Sequence, residues 1–244
     1  MFGNRAWIRK GSKDEPEKPF WISYADLMTS LMVLFLVAMS VALLAVTKKI
    51  DTEEENKKRR VEEITRCLQE IKSSGEDLGI SVSVDPINPT IDFGPKAYFG
   101  RDKYFVLDET TIRLRTFARR LLTIAKLPCG QKWMKRVVIE GYTSQEGTYL
   151  HNVNLSLNRS HKVLCVILSG DQTDPISLNA EEKGEARKLL MAGGYSSNSI
   201  KPTFEESRRV EFKLEFWNDL HEKTELPVVE QLGALGECKL KDQG

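Results

Sequence analysis

The chain has 244 residues, and its 36 Lys and Arg nearly cancel 35 Asp and Glu to leave a net charge of +1. Gripping a phosphate backbone calls for a basic excess, so no direct nucleic acid binding is expected. With 41% hydrophobic and 29% charged residues, the chain is too polar for a multi-span membrane protein and ordinary for a globular domain with added segments. Four cysteines (Cys67, Cys129, Cys165, Cys238) lie far apart and three histidines (His151, His161, His221) are scattered, which argues against a metal cluster, a thioredoxin-type redox site or any resident cofactor.

A short basic tail, residues 1–18, precedes the first element, a transmembrane helix over 19–47. Its core, Leu27 to Val46, is an uncharged apolar run. At 1.5 Å per residue it is about 30 Å of helix, the thickness of a bilayer's hydrocarbon core. A cleaved signal peptide is the competing reading, but signal cores are shorter and end in small residues, which the exit Leu43-Leu44-Ala45-Val46-Thr47-Lys48-Lys49 does not supply. Basic residues flank both ends, so charge does not decide orientation; a short tail before the span and a large domain after it favour a cytoplasmic N-terminus. Pro19 suits a first helical turn, and Phe20, Trp21 and Tyr24 suit an aromatic belt at headgroup level. Asp26 then falls about 10 Å along the helix, inside the apolar zone. A carboxylate there costs about 2.5–3.5 kcal/mol on insertion scales, and loss of water favours its neutral form, so the group is suited to binding and releasing a proton. Thr29, Ser30, Val33, Val37 and Ser40 continue its face at helical spacing. A helix cap at the membrane edge is the alternative role for Asp26.

Residues 48–78 are highly charged, yet Ile50, Val61, Ile64, Leu68 and Ile71 occupy the a and d positions of one heptad frame. They read either as a solvated helix or as a short parallel dimer stalk, in which Cys67 faces its twin and an interchain disulfide is possible. Gly75 and Gly79 end it. Residues 79–216 read as one α/β domain: strands at 80–84, 90–93, 136–142 and 209–216, and helices at 109–126 (capped by Asp108), 152–169 and 178–192. The tail 217–244, with Pro227, Gly233 and Gly236, either packs on the domain or hangs free.

The run Trp21-Ile22-Ser23-Tyr24-Ala25-Asp26-Leu27-Met28-Thr29-Ser30-Leu31-Met32 resembles the transmembrane signature of the B subunits of ion-driven rotary stators, the MotB class. The resemblance implies that Asp26 carries the translocated ion, with Tyr24, Thr29 and Ser30 along the ion path and a proton favoured over sodium. Within the domain, Glu140-Gly141-Tyr142-Thr143, then Asn152-x-x-Leu155-Ser156-x-x-Arg159 and finally Arg208-Arg209-Val210-Glu211 resemble the OmpA-like peptidoglycan-binding family. That family implies a mixed α/β (α+β) fold and a groove for the diaminopimelate of the wall peptide, here at Thr143, Ser144, Asn152, Leu155 and Arg159. Arg159 has the donor fork for the ligand's carboxylate. Ser144 stands where the family has an aspartate for the ligand's ammonium, and Glu146, two residues on, is the nearest acid that could reach inward in its place. Asn152 and Leu155 fit equally as helix N-cap and core residue.

The short linker and the Ser-Tyr-Ala-Asp-Leu-Met-Thr-Ser stretch are most similar to the ZorB family, MotB-like components of Zorya antiphage systems. That likeness implies an inner-membrane homodimer inside five copies of a multi-span A subunit. The α/β domain would be periplasmic and anchored to peptidoglycan, and cytoplasmic effectors would be reached only indirectly. A flagellar stator and a passive wall tether are the alternatives. An enzyme is not expected, because residues 76–244 hold no nucleophile elbow, triad or metal cluster.

Overall fold

The computed structural model describes residues 20–170, 174–218 and 234–238, and the chain divides into two compact units at Lys57/Lys58. The tail 1–18, with Pro19, lies outside the described residues, as do His221, Pro227, Gly233 and the side chains of the belt residues Phe20 and Trp21.

The first element is α1, Phe20–Gly75. Nothing between Phe20 and Ser74 breaks it: the stretch holds neither Gly nor Pro. Its charged middle carries Glu53/Lys57, Glu54/Lys58 and Glu55/Arg59 at the i, i+4 spacing and in the orientation that supports a helix. The span and the linker, expected as two segments, are therefore one uninterrupted helix. In the first unit every described side chain from Tyr24 onward is exposed, including Leu34 at 71% and Leu44 at 69%. An apolar surface of this extent is suited to lipid or to a protein partner, and water does not stabilise it.

The second unit begins with the last turns of α1. Ile64, Cys67, Leu68 and Ile71 have no exposed surface and belong to the domain's own core. This corrects the seam reading over that half of the stalk. Each fully buried aliphatic chain contributes about 2 kcal/mol, and the nearby α/β core offers that burial within one chain. Cys67 bonds Cys129 of the same chain rather than a twin. Ile50 and Val61 stay exposed. The domain thus starts some twenty residues before the expected position 79. As expected, α1 ends at Gly75, and the turn at Glu76–Leu78 closes on Gly79 with φ +63°, a left-handed conformation that suits glycine.

A five-stranded sheet follows in the order β1-β2-β5-β3-β4, formed by β1 (Ser81–Val82), β2 (Thr90–Asp92), β3 (Met134–Gly141), β4 (Leu190–Gly194) and β5 (Val210–Phe216). All pairs are antiparallel except β3 with β4. The helices are α2 (Asp108–Ala125), α3 (Pro128–Trp133), α4 (Tyr149–Leu168), α5 (Ala180–Leu189) and α6 (Phe204–Ser207). α4 is the crossover from β3 and packs on β3, β4 and α2. The core joins Phe117 and Leu121 of α2, Val137 and Ile139 of β3, Ile167 of α4 and Phe212 of β5. Phe93 meets Phe117 edge-on at 5.5 Å and Phe212 at 4.8 Å.

Several boundaries differ from expectation, and three of them have a physical reason. Asp108 is not the cap of α2: Leu107 holds that position without a side-chain bond, and Asp108 adds its charge to the first turn instead. The helix expected to run to Ala192 stops at Leu189, and Leu190–Gly194 forms β4. Leu190, Met191 and Ala192 are good helix formers, and pairing with β3 overrides that preference. The domain also reaches past 216. Trp217 is buried, its N–H donates to Trp133 O at 2.8 Å, and its carbonyl accepts from Arg60 Nε at 2.8 Å. Of the remaining tail, residues 234–238 are tied to α4 by the Cys165–Cys238 disulfide.

Candidate functional site

Two places carry chemistry, one in each unit. In the first, Asp26 is the seventh residue of α1, about 9 Å from the helix start, so it is an interior helical residue and not a cap. At about 100° per residue, Thr29, Ser30, Val33, Val37 and Ser40 lie within about 60° of it. Thr29 Oγ1 donates to the Asp26 carbonyl at 2.9 Å, and Ser40 Oγ donates to Leu36 O at 2.8 Å. These back-bonds satisfy the hydroxyl protons locally and leave the oxygens facing outward as acceptors. Tyr24 is placed differently: two residues before Asp26, it points to the opposite side of the helix, about 160° away. Its exposed ring does not share the face of Asp26, Thr29 and Ser30.

In the second unit, the expected wall-binding residues converge where β3 ends and α4 begins. The sequence permits this through two glycines. A Cβ on Gly141 would lie 1.9 Å from Ser156 O, and one on Gly194 would lie 2.7 Å from Leu157 N. Their absence lets α4 sit directly on β3 and β4. Gly147, with φ +92°, turns the connecting loop, and Thr148 is the N-cap of α4. Asn152 is therefore not a cap; it lies in the first turns, 3% exposed, and Leu155 is buried beneath.

All five expected residues are buried. Arg159 has no exposed surface, and its guanidinium is spread over three backbone carbonyls: Nε to Lys103 O at 2.9 Å, Nη1 to Tyr142 O at 2.7 Å and Nη2 to Gly100 O at 3.1 Å. It also stacks over Phe99 at 5.1 Å. Burial, followed by the charge of Arg208, pushes it down to about 9, still protonated at neutral pH. Thr143 Oγ1 and Ser196 Oγ are buried without a hydrogen-bond partner. Ser144 Oγ donates to Glu146 Oε2 at 3.1 Å.

Glu146 is the acid of this site. Arg208 Nη1 approaches its Oε2 at 3.4 Å, and Arg101 Nη1 its Oε1 at 3.6 Å. Arg208 is anchored further, with Nε donating to Phe99 O at 3.2 Å and Nη2 to Glu205 Oε1 at 2.8 Å. On the other side His151 Nε2 meets Asp102 Oδ1 at 2.9 Å, and that bond holds the Asp102 carboxyl below its ordinary range. Sequence reasoning missed Arg101 and Asp102 and gave His151 no role at this site. The signal available was the charged turn Gly100-Arg101-Asp102-Lys103, whose Asp102 adopts φ +53°. Beneath the site, Tyr142 donates to buried Glu140 at 2.7 Å, and burial and this carboxylate raise its hydroxyl well above the ordinary tyrosine range. Arg209 Nε bonds Glu211 Oε1 at 2.7 Å, completing a buried polar layer.

Residues 8–52 match the family model described as "Membrane MotB of proton-channel complex MotA/MotB". Among solved structures, the chain is similar to a MotB-like protein from Desulfovibrio vulgaris at 16% identity and TM-score 0.42, covering 66% of this chain and 98% of that one. It is also similar to the periplasmic domain of Helicobacter pylori MotB at 17% identity and TM-score 0.38, covering 56% and 80%. A curated relative, Zorya protein ZorB from Escherichia coli O139:H28, is 39% identical over 217 residues, which span 89% of this chain and 88% of the relative. On that identity, over 89% of its length, the chain belongs to the ZorB family.

Proposed function

We propose that this protein is an inner-membrane subunit of a rotary motor of the stator B type, driven by the proton-motive force, anchored to the cell wall and acting in antiphage defence. Two copies work inside five copies of a multi-span A subunit, and cytoplasmic effectors respond only through that partner. The observation that carries the reading is Asp26: a carboxyl group nearly two turns into an exposed helix, directly before its apolar run, in the stretch that matches the proton-channel family model. A proton entering from outside neutralises Asp26 and leaves on the cytoplasmic side. The charged and neutral forms pack differently against the A subunits. A 100 mV potential supplies about 2.3 kcal/mol per charge moved, enough to bias such a step. Thr29 and Ser30 line the route, and the translocated ion is a proton in preference to sodium. Tyr24, on the far side of the helix, takes the place of a headgroup-level anchor.

The cysteine chemistry supports an orientation. Both disulfides lie in the second unit, Cys67–Cys129 and Cys165–Cys238, and disulfides persist in the periplasm but not in a reducing cytosol. This supports a periplasmic α/β domain and a cytoplasmic N-terminus. The groove at β3 and α4 then faces the wall, where peptidoglycan holds the subunit still while its partner turns.

Asp26→Asn keeps the shape of the side chain and removes its proton. The variant complex is expected to assemble at wild-type yield and to lose phage protection, read as plaquing efficiency, along with proton uptake into vesicles. Undiminished protection by Asp26→Asn would overturn the motor reading and leave a passive wall tether.

A further inference from the structure

We infer that the wall peptide is read by Glu146 and Arg101, with Arg159 as a positioning residue beneath them. This rests on the peptidoglycan reading above and concerns the same groove. The diaminopimelate end of a stem peptide carries an ammonium and a carboxylate close together. Its reader needs one acid and one donor fork, both reachable. Arg159 is not reachable: it is wholly buried, and its Nε, Nη1 and Nη2 are each engaged by a backbone carbonyl. Two of those carbonyls belong to Gly100 and Lys103 and the third to Tyr142, so Arg159 clamps the 100–103 turn against the end of β3. That clamp sets Arg101 beside Glu146.

Glu146 and Arg101 have the required access. The Glu146 side chain is 28% exposed and that of Arg101 is 69% exposed, and their contact at 3.6 Å is longer than a hydrogen bond. An incoming ammonium can take the Glu146 carboxylate while its companion carboxylate draws Arg101 away. Arg208 stays, since Phe99 O and Glu205 also hold it, and Ser144 Oγ fixes the second carboxylate oxygen. Ser144 thus contributes through Glu146: the negative charge has moved two residues along the loop, and the hydroxyl at the former place orients it. Two further features suit the groove to a polar ligand. Thr143 Oγ1, adjacent to Ser144, is 99% buried with its bonding capacity unused. α4 begins here with no acid in its first turn, which leaves its positive end uncompensated for a carboxylate. Both charge signs stand within 4 Å of each other, which fits a zwitterionic ligand and disfavours a simple anion such as phosphate.

The test uses the full-length protein, purified in detergent with its A subunit, and cosedimentation with isolated diaminopimelate-type sacculi. Glu146→Gln is expected to weaken binding about tenfold or more, the scale of one charge-assisted hydrogen bond. Arg101→Gln is expected to act in the same direction, and both variants should melt as the wild type does, because both side chains are partly exposed. Acetylating the sacculus amines should weaken wild-type binding to the level of Glu146→Gln and leave that variant unaffected. Introducing Ser144→Asp into Glu146→Gln should restore binding, a rescue that a merely structural role for Glu146 does not give. Wild-type binding by Glu146→Gln, or equal binding of native and acetylated sacculi by the wild type, overturns the inference. Failure of the wild type to sediment with native sacculi is a separate outcome and overturns the peptidoglycan reading itself.

Discussion

Arg159 carries a full charge into a place without solvent and balances it against the carbonyls of Lys103, Tyr142 and Gly100. Replacing it by Ala leaves those three acceptors unpaired, opens a cavity under Phe99 and frees the 100–103 turn. Losing the partner of buried polar groups typically costs about 3–5 kcal/mol. Arg159→Ala is therefore expected to lower the unfolding free energy of the detergent-solubilised protein by that amount, read as an earlier denaturant midpoint, whether or not wall peptide is present. Arg159→Lys should recover only part, since an ammonium lacks the rigid fork that spans all three carbonyls. Unaltered stability in Arg159→Ala would return this side chain to the ligand. The position of Arg159 was legible in the sequence as part of a motif; its partners were not. Two of its acceptors come from residues 56 and 59 positions earlier, and no local pattern announces that the turn folds back. Asp26 was legible for the opposite reason. An acid set between an aromatic belt and a twenty-residue apolar run conflicts with its immediate neighbours, and that conflict is visible without any tertiary contact.

At the scale of elements, the seating of α4 on β3 and β4 depends on missing side chains. A Cβ at Gly141 meets the Ser156 carbonyl at 1.9 Å, and this is backbone, so it cannot swing aside. Gly141→Ala is expected to cost about 2 kcal/mol or more by forcing the helix from the sheet, and to weaken wall binding with it. Gly184 is the control. It lies inside α5 with nothing within 4 Å of its would-be Cβ, so Gly184→Ala should leave function alone and gain up to about 1 kcal/mol from helix propensity. Equal effects of the two substitutions on the thermal midpoint would show that close approach at Gly141 does not set the packing. Helices and strands whose apolar period matched their final burial were readable: α2, α4, β3 and β5 fall near where the pattern put them. The sequence misled where a pattern fitted two outcomes. Ile64, Leu68 and Ile71 sit on one helical stripe, and a stripe says that a face is buried without saying by what. The same ambiguity hid β4, where helix-forming residues were claimed by an adjacent parallel strand.

For the molecule as a whole, the orientation in the membrane is the claim on which the wall-binding role depends, and the cysteines give it a direct measurement. The pairs close loops of 62 and 73 residues, which on chain-entropy grounds stabilise the domain by about 4 kcal/mol each. Such bonds form only if the domain meets an oxidising compartment during folding. In intact cells expressing the complex, all four thiols are therefore expected to resist a permeant maleimide until a reductant and a denaturant are added. Cys67→Ser should then expose a single reactive thiol at Cys129 and lower the thermal midpoint. A parallel strain whose periplasm cannot oxidise thiols should yield the fully reactive, less stable form. Four thiols that react readily in ordinary cells would place the α/β domain in the cytosol. The sacculus would then be out of its reach, and the groove beside α4 would need a different ligand even if Asp26 still carried a proton.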